Sequence, residues 1–318
     1  MKIRNIAIIG LALLAGVFFS CKKDDETETK PSLSGLQFQT PAYMRKGQVE
    51  HIVPLSVTHP EGKEVGYYWQ IDSGKKDTVK TEDMTGKVDI SYNVSFNETG
   101  SHSVVCGAFA EGYYASVYST TIIVVNPEDR DFITGTGLEE GQDAVYDPRG
   151  TKENQYFYNR IGSLDWMRNN LAYTGSGIPY KDCEVVSYPI GRYYTWEEAK
   201  TACPDGWRLP TMSEWASLGE DAGNLMADAY MMDSKMWEFW PQVKITNSTG
   251  LAVFPAGYAL VGSSRNVFQG FGDYAMFWSA DEYNADQAHY VYIHEQEAKV
   301  QSGQGDKASL ALTLRCVR

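Results

Sequence analysis

The stretch Thr195-Trp-Glu-Glu-Ala-Lys-Thr-Ala-Cys-Pro-Asp-Gly-Trp-Arg-Leu-Pro-Thr-Met-Ser-Glu-Trp215 holds two helix starts in close succession. Thr195 can accept a hydrogen bond from the backbone of Glu198, while the Glu198 carboxylate reaches back to the backbone of Thr195. Thr211 and Glu214 repeat the same capping box. After the first start, Trp196, Ala199 and Cys203 fall on one face of a helix, which Pro204-Asp205-Gly206 then stops. The second start leads into Trp215 and Leu218, and Trp207-Arg208-Leu209-Pro210 lies between the two. A third helical stretch is expected over about 220–232, which is rich in Ala and Met. The rest of this half, rich in Gly and aromatic residues, reads as short strands and long loops.

Upstream the pattern changes. Residues 34–126 read as all-β. Val65-Gly-Tyr-Tyr-Trp-Gln-Ile71 is rich in aromatic and β-branched residues. Lys87 to Phe96 alternates, with Val88, Ile90, Tyr92, Val94 and Phe96 on one face. Ser103–Phe109 and Ala115–Val125 follow, joined through Glu111-Gly112. This is the pattern of a small antiparallel sandwich. Trp69 and Cys106 suit the centre of an immunoglobulin-type core, with no earlier Cys inside the sandwich to bond to. Cys106 is therefore read as a small buried hydrophobe. Residues 127–140 are acidic and Gly-rich and read as a linker. Beyond it lie seven of the eight Trp residues, between 166 and 278.

The phrase Glu98-Thr-Gly-Ser-His-Ser-Val-Val105 resembles the late strands of PKD and similar Ig-like modules. The second half resembles the Fibrobacter succinogenes major paralogous domain over about 141–318. The opening motif is matched by Ile161-Gly-Ser-Leu-Asp-Trp166-Met167 with Asn170-Leu171. The centre is matched by Gly191, Tyr193-Tyr194-Thr195-Trp196, Cys203 to Pro210, and Glu214-Trp215. The end is matched by Gly250-Leu-Ala-Val-Phe254-Pro255-Ala-Gly257, Phe277-Trp278-Ser279 and Leu314-Arg315-Cys316-Val317. The resemblance implies an α+β fold similar to C-type-lectin-like domains and to formylglycine-generating enzymes. It also implies a disulfide between Cys203, closing the first helix, and Cys316, in the last strand. Only Cys183 stands in the region where family members often carry two Cys, so a Cys106–Cys183 bond stays open as an unfavoured alternative.

Residues 1–20 read as a targeting segment. Lys2 and Arg4 precede the apolar run Ile6–Phe19, which is too short for a comfortable membrane span. Phe18-Phe19-Ser20-Cys21 resembles a bacterial lipobox, with Phe18 where Leu is usual. Lipid on Cys21 would then be the membrane anchor. Residues 21–33 begin Cys21-Lys22-Lys23-Asp24-Asp25-Glu26 and read as a flexible tether. That cluster resembles the surface-export signal of Bacteroidetes lipoproteins, which implies an outer-membrane protein facing the cell exterior.

The 318 residues carry a net charge of −13, which argues against nucleic acid as a partner. No phosphate loop, nucleophile elbow or HExxH motif occurs, and no cofactor is expected. Asp281, Glu282, Asn284 and Asp286 supply oxygen ligands that could serve Ca²⁺. A solvated acidic loop is the preferred reading of the four. His289 and His294 would point to opposite faces of a strand. The remaining signal is aromatic. Trp237, Trp240, Tyr258, Phe268, Phe271 and Tyr274 cluster in sequence where lectin-like folds carry their long loop, and flat rings with polar edges suit sugars or protein partners. Trp196, Trp207, Trp215 and Trp278 are assigned to the core. The function expected is a non-enzymatic surface lipoprotein that binds a glycan or protein through Trp237, Trp240, Tyr258, Phe271 and Tyr274. A structural or adhesion subunit of a surface or fimbrial assembly is the alternative. A glycan-active or oxidase enzyme is the third reading.

Overall fold

The computed structural model describes residues 30–79, 89–126, 132–138, 142–149, 154–237 and 243–318. The lipobox, Cys21, most of the tether, the start of the expected 87–96 strand and half of the 127–140 linker lie outside these residues. The molecule is β-rich and built from several sheets.

The first half contributes β1 (Tyr43–Arg45), β2 (Val49–Ile52), β3 (Gly66–Ile71), β4 (Asp77–Val79), β5 (Tyr92–Ser95), β6 (Gly100–Phe109) and β7 (Ser116–Val125). A five-stranded sheet runs β1-β7-β6-β3-β4, and β2 pairs with β5. Both sheets feed one core. Ile52 and Val94 come from the small sheet, and Trp69, Val104, Cys106 and Ile122 from the large one. Trp69 is fully buried opposite Cys106 in the ladder, and its Nε1 donates to the Ile90 carbonyl at 3.1 Å. Tyr92 stacks on it with centroids 5.4 Å apart, and Phe38 tilts against it at 5.2 Å. Ile90, Val94 and Phe96 are buried on the face that alternation assigned to them. Cys106 and Cys183 are separate free thiols, so the alternative disulfide does not form. Burial pushes the Cys106 thiol up to about 12, which keeps it an inert apolar group at neutral pH.

The second half begins with β8 (Ile133–Thr134), β9 (Ala144–Asp147), β10 (Asn154–Ile161), β11 (Leu164–Met167) and β12 (Ile178–Pro179). Next come α1 (Ser187–Ile190), β13 (Arg192–Thr195), α2 (Trp196–Ala202) and α3 (Met212–Ser217). Strands β14 (Tyr230–Met231), β15 (Ser234–Lys235), β16 (Tyr258–Leu260) and β17 (Val267–Gln269) follow. The chain closes with β18 (Tyr274–Glu282), β19 (Gln287–His294), β20 (Gln301–Asp306) and β21 (Leu310–Leu312). The order β12-β13-β21-β16-β17 forms one sheet and β18-β19-β20 another. Both capping boxes form reciprocally, at Thr195/Glu198 and at Thr211/Glu214. Arg208 grips Glu214 with two hydrogen bonds, which holds that carboxylate down at about 2.

The disulfide implied by the resemblance is present. Cys203 follows the last residue of α2 and is bonded to Cys316, with Cα atoms 6.0 Å apart. Next to it in sequence, Arg315 is 1% exposed. Its guanidinium donates to Asn170 Oδ1 and to the carbonyls of Met167, Leu251 and Ala252.

The helix expected over 220–232 does not form. Only a 3₁₀ turn at Ala222–Asn224 and strand β14 occupy that span. Ala222, Leu225, Met226, Ala227 and Ala229 are all buried, so there is no polar face for a surface helix to present. The backbone pairs outward instead, with Ala227 N–H to the Val253 carbonyl and Val253 N–H to the Leu225 carbonyl. Gly223 fits because a Cβ there would lie 2.1 Å from the Lys244 carbonyl oxygen.

The Cys203–Cys316 bond closes a loop spanning 113 residues. Chain entropy values such a loop at roughly 4–5 kcal/mol. Thermal unfolding of a Cys203→Ala/Cys316→Ala variant should therefore begin about 10 °C lower than in the oxidised chain. Dithiothreitol should lower the wild-type midpoint by a similar amount and leave the variant unmoved.

Candidate functional site

Strands β18, β19 and β20 set the geometry of the site by simple alternation. Tyr274 lies opposite His294, Met276 opposite Tyr292, and Trp278 opposite Tyr290, so all six share one face of the sheet. At the inner end of this face Trp278 is fully buried, and its Nε1 donates to the Tyr194 carbonyl at 2.8 Å. At the outer end Tyr274, Tyr290, Tyr292 and His294 are only partly covered. Tyr258 joins them from β16, edge-on to Tyr274 with centroids 6.3 Å apart. Tyr274 lies 4.4 Å from His294 and 6.1 Å from Tyr292, and Tyr292 lies 6.1 Å from Tyr290. Gly303 of β20 sits beneath Tyr290, where a Cβ would meet the ring at 2.6 Å.

The hydroxyls converge as well as the rings. The Tyr290 phenol is raised above its ordinary value first by burial, then by Tyr292, Tyr258 and Tyr274. Tyr258 is raised by burial and by Tyr274, and its hydroxyl donates to Gln269 Oε1 at 2.8 Å. The result is a half-exposed patch with flat apolar faces and several hydroxyl edges, a chemistry that can cover the C–H face of a ligand and hydrogen-bond its rim.

The residues expected to bind do not all meet here. Tyr258 and Tyr274 do. Trp237 is fully buried, with its Nε1 toward the Val253 carbonyl at 3.4 Å, and belongs to the core with Trp166, Leu251 and Val253. It offers no ring to a ligand, because it is packed in one buried cluster with Ala275, Phe277, Val291 and Ile293 of β18 and β19. Trp240 lies outside the described residues. Phe271 stacks on Tyr180 at 4.5 Å in a different cluster, together with Phe268. Tyr290, Tyr292 and His294 were missed, although the period-two spacing Tyr290-x-Tyr292-x-His294 marks one face of a strand. His289 points to the other face, as its odd offset from His294 requires. Trp196, Trp207, Trp215 and Trp278 are all buried.

The acidic residues near 281–286 are each engaged separately. Asp281 Oδ2 accepts from the backbone of Met212 and from Ser279 Oγ. Glu282 pairs with Lys307 at 3.4 Å. Asn284 Oδ1 accepts from the backbone of Asp286 and Gln287. Lys307 Nζ ties the loop down through the carbonyls of Asn284 and Ala285. Among the described residues no group of three or more His, Cys, Asp or Glu could hold a metal ion.

A family model for the Fibrobacter succinogenes major domain matches residues 160–318. No curated protein matches the chain. The geometry separates a core ring from a surface ring in one experiment. Trp237→Ala should cost about 3–5 kcal/mol in denaturant unfolding. Tyr274→Ala, half-exposed, should cost roughly 1 kcal/mol and keep the native near-UV spectrum.

Proposed function

The chain belongs to the Fibrobacter succinogenes major domain family, and we propose that it is a non-enzymatic surface lipoprotein that holds a glycan on its tyrosine–histidine face. The observation that carries this reading is the convergence of Tyr258, Tyr274, Tyr290 and Tyr292 beside His294 on a partly exposed sheet face. Sugar rings present one apolar C–H face and a rim of hydroxyls, which matches neutral phenol rings packed edge to face. Burial raises the Tyr258 and Tyr290 phenols further from ionisation, so a neutral sugar meets no unpaired ion at those two rings.

In this reading residues 34–126 form an Ig-like spacer and residues 141–318 a lectin-like binding unit. Two sheets sharing the Trp69 core support the first part. A capped helix bonded through Cys203 to the final segment supports the second. Lipid on Cys21 anchors the chain to the outer membrane, facing the exterior.

One observation favours a second reading, an assembly subunit. Strand β7 is paired by β1 only at its end, Ile123–Val125, and a lone bridge joins Tyr114 to Ser32. Between those points its outer edge has no ladder partner among the described residues. Residues 115–121 carry no charge and no Pro to discourage an added strand.

A glycan array probed with the chain should give binding that falls about tenfold in a Tyr274→Ala/Tyr292→Ala variant. Binding indifferent to both changes rejects the face, and no binding to any glycan turns the weight to the assembly reading. Placement is tested separately. Palmitate incorporation should vanish in Cys21→Ser, and protease added to whole cells should remove the protein; protection from protease points to a periplasmic face instead.

A further inference from the structure

The face of the β18–β19–β20 sheet opposite the tyrosines carries a recess of about 660 Å³. That volume lies within the range of small-molecule sites. Its wall is polar. His289 and Gln304 are cross-strand partners, Ser302 lies two residues along on the same face, and Asp281, Glu282 and Ser213 complete the rim.

These side chains divide into two sets. Asp281 is committed, since it accepts from Met212 N–H and Ser279 Oγ. Glu282 pairs with Lys307 at the long distance of 3.4 Å, and its side chain is 59% exposed. His289, Ser302, Gln304 and Ser213 make no side-chain hydrogen bond among the described residues. Several donors and acceptors therefore point into one concavity with their capacity unspent. Beside them stands Tyr283, 56% exposed, edge-on to His289 at 5.3 Å. The loop carrying it is tied down by Lys307 and by the Asn284 side chain.

We propose that this recess is a second binding site, separate from the tyrosine face, and that it takes a neutral pyranose. The chemistry narrows the class in three steps. An apolar ligand would strip water from His289, Gln304 and Ser302 and return no hydrogen bonds. An anionic ligand would meet Asp281 and Glu282, with no lysine or arginine in the lining. A neutral sugar meets neither obstacle. A carboxylate and an amide can each bridge adjacent hydroxyls, and the exposed Tyr283 ring can cover a C–H face.

The test is saturation-transfer NMR with methyl β-glucopyranoside, methyl β-galactopyranoside and methyl α-mannopyranoside, using glucuronate as the charged control. The full chain carries Tyr274→Ala and Tyr292→Ala, so that the other face is silent, and the wild-type background is run in parallel. At least one neutral glycoside should show transfer. That transfer should fall about fivefold when exposed Gln304 is changed to Ala, and again when Tyr283 is changed to Ala. Glucuronate should show none. Three silent glycosides, a signal unmoved by Gln304→Ala, or glucuronate bound as well as the neutral sugars would each overturn the proposal. Repeating the glycan array in a Gln304→Ala/Tyr283→Ala background, with and without Tyr274→Ala/Tyr292→Ala, reads the tyrosine face by itself, so the two results remain distinguishable.

Discussion

Arg315 places a full positive charge at the centre of the C-terminal half, with Phe277 5.7 Å from its guanidinium carbon. Its hydrogen-bond partners are Asn170 Oδ1 and three backbone carbonyls, and none is a carboxylate. Burial, and then the charge of Arg168, pushes its pKa down to about 9, so it is still protonated at neutral pH. A buried cation of this kind persists only where enough oxygen dipoles are aimed at it. Here they come from two segments distant from residue 315, 167–170 and 251–252. Ala252 even adopts φ 58°, a left-handed conformation unusual for alanine, at the point where its carbonyl meets the guanidinium. Strand β11, the 250–257 segment and the final strand are fixed relative to one another by that shared need. The sheets that carry the tyrosine face and the recess are hung on this arrangement.

The same cation explains why some of the fold could be read from the sequence. Met167, Asn170, Leu251, Ala252 and Arg315 lie inside three of the phrases through which the chain resembles its family. The capping boxes at Thr195 and Thr211 were legible because a cap is local chemistry, complete within four residues. Alternation exposed the strand containing Val94 and Phe96 for the same reason. The 220–232 segment was misread because Ala and Met favour helix only when the backbone has nothing better to bond to, and here Val253 provides it. Trp237 was misplaced because a tryptophan's burial depends on what packs over it, which neither composition nor spacing states. Tyr290, Tyr292 and His294 were within reach of a period-two reading. The recess was not, since Ser213, His289 and Gln304 meet only after three elements come together.

One sheet, β18-β19-β20, presents chemically different surfaces on its two sides. One side carries phenol rings over glycine, with the apolar bodies of Trp278 and Met276 behind them. The other carries apolar Phe277, Val291 and Ile293 inward and polar His289, Ser302 and Gln304 toward the rim. A β-sheet can do this because adjacent residues point oppositely, so each strand specifies two faces independently. Substitutions at even and odd positions of β19 therefore alter separate surfaces.

The placement of residues 310–317 bears on the order in which the molecule can be assembled. Strand β21 sits between β13 and β16 in its sheet, Val317 bridges to Trp166 and Arg208, and Cys316 reaches back to Cys203. Most of its partners precede it by 50 residues or more, while Met276 and Phe277 lie nearer in sequence. A chain delivered from its N-terminus through a ribosomal tunnel or a membrane pore cannot close the C-terminal core progressively, because the piece that completes it comes after all its partners. Contacts of such long sequence separation also make closure slow. The first half has no such debt to later sequence in its own sheet ladders and can organise first. The second half stays open until residues 310–317 are available to close it.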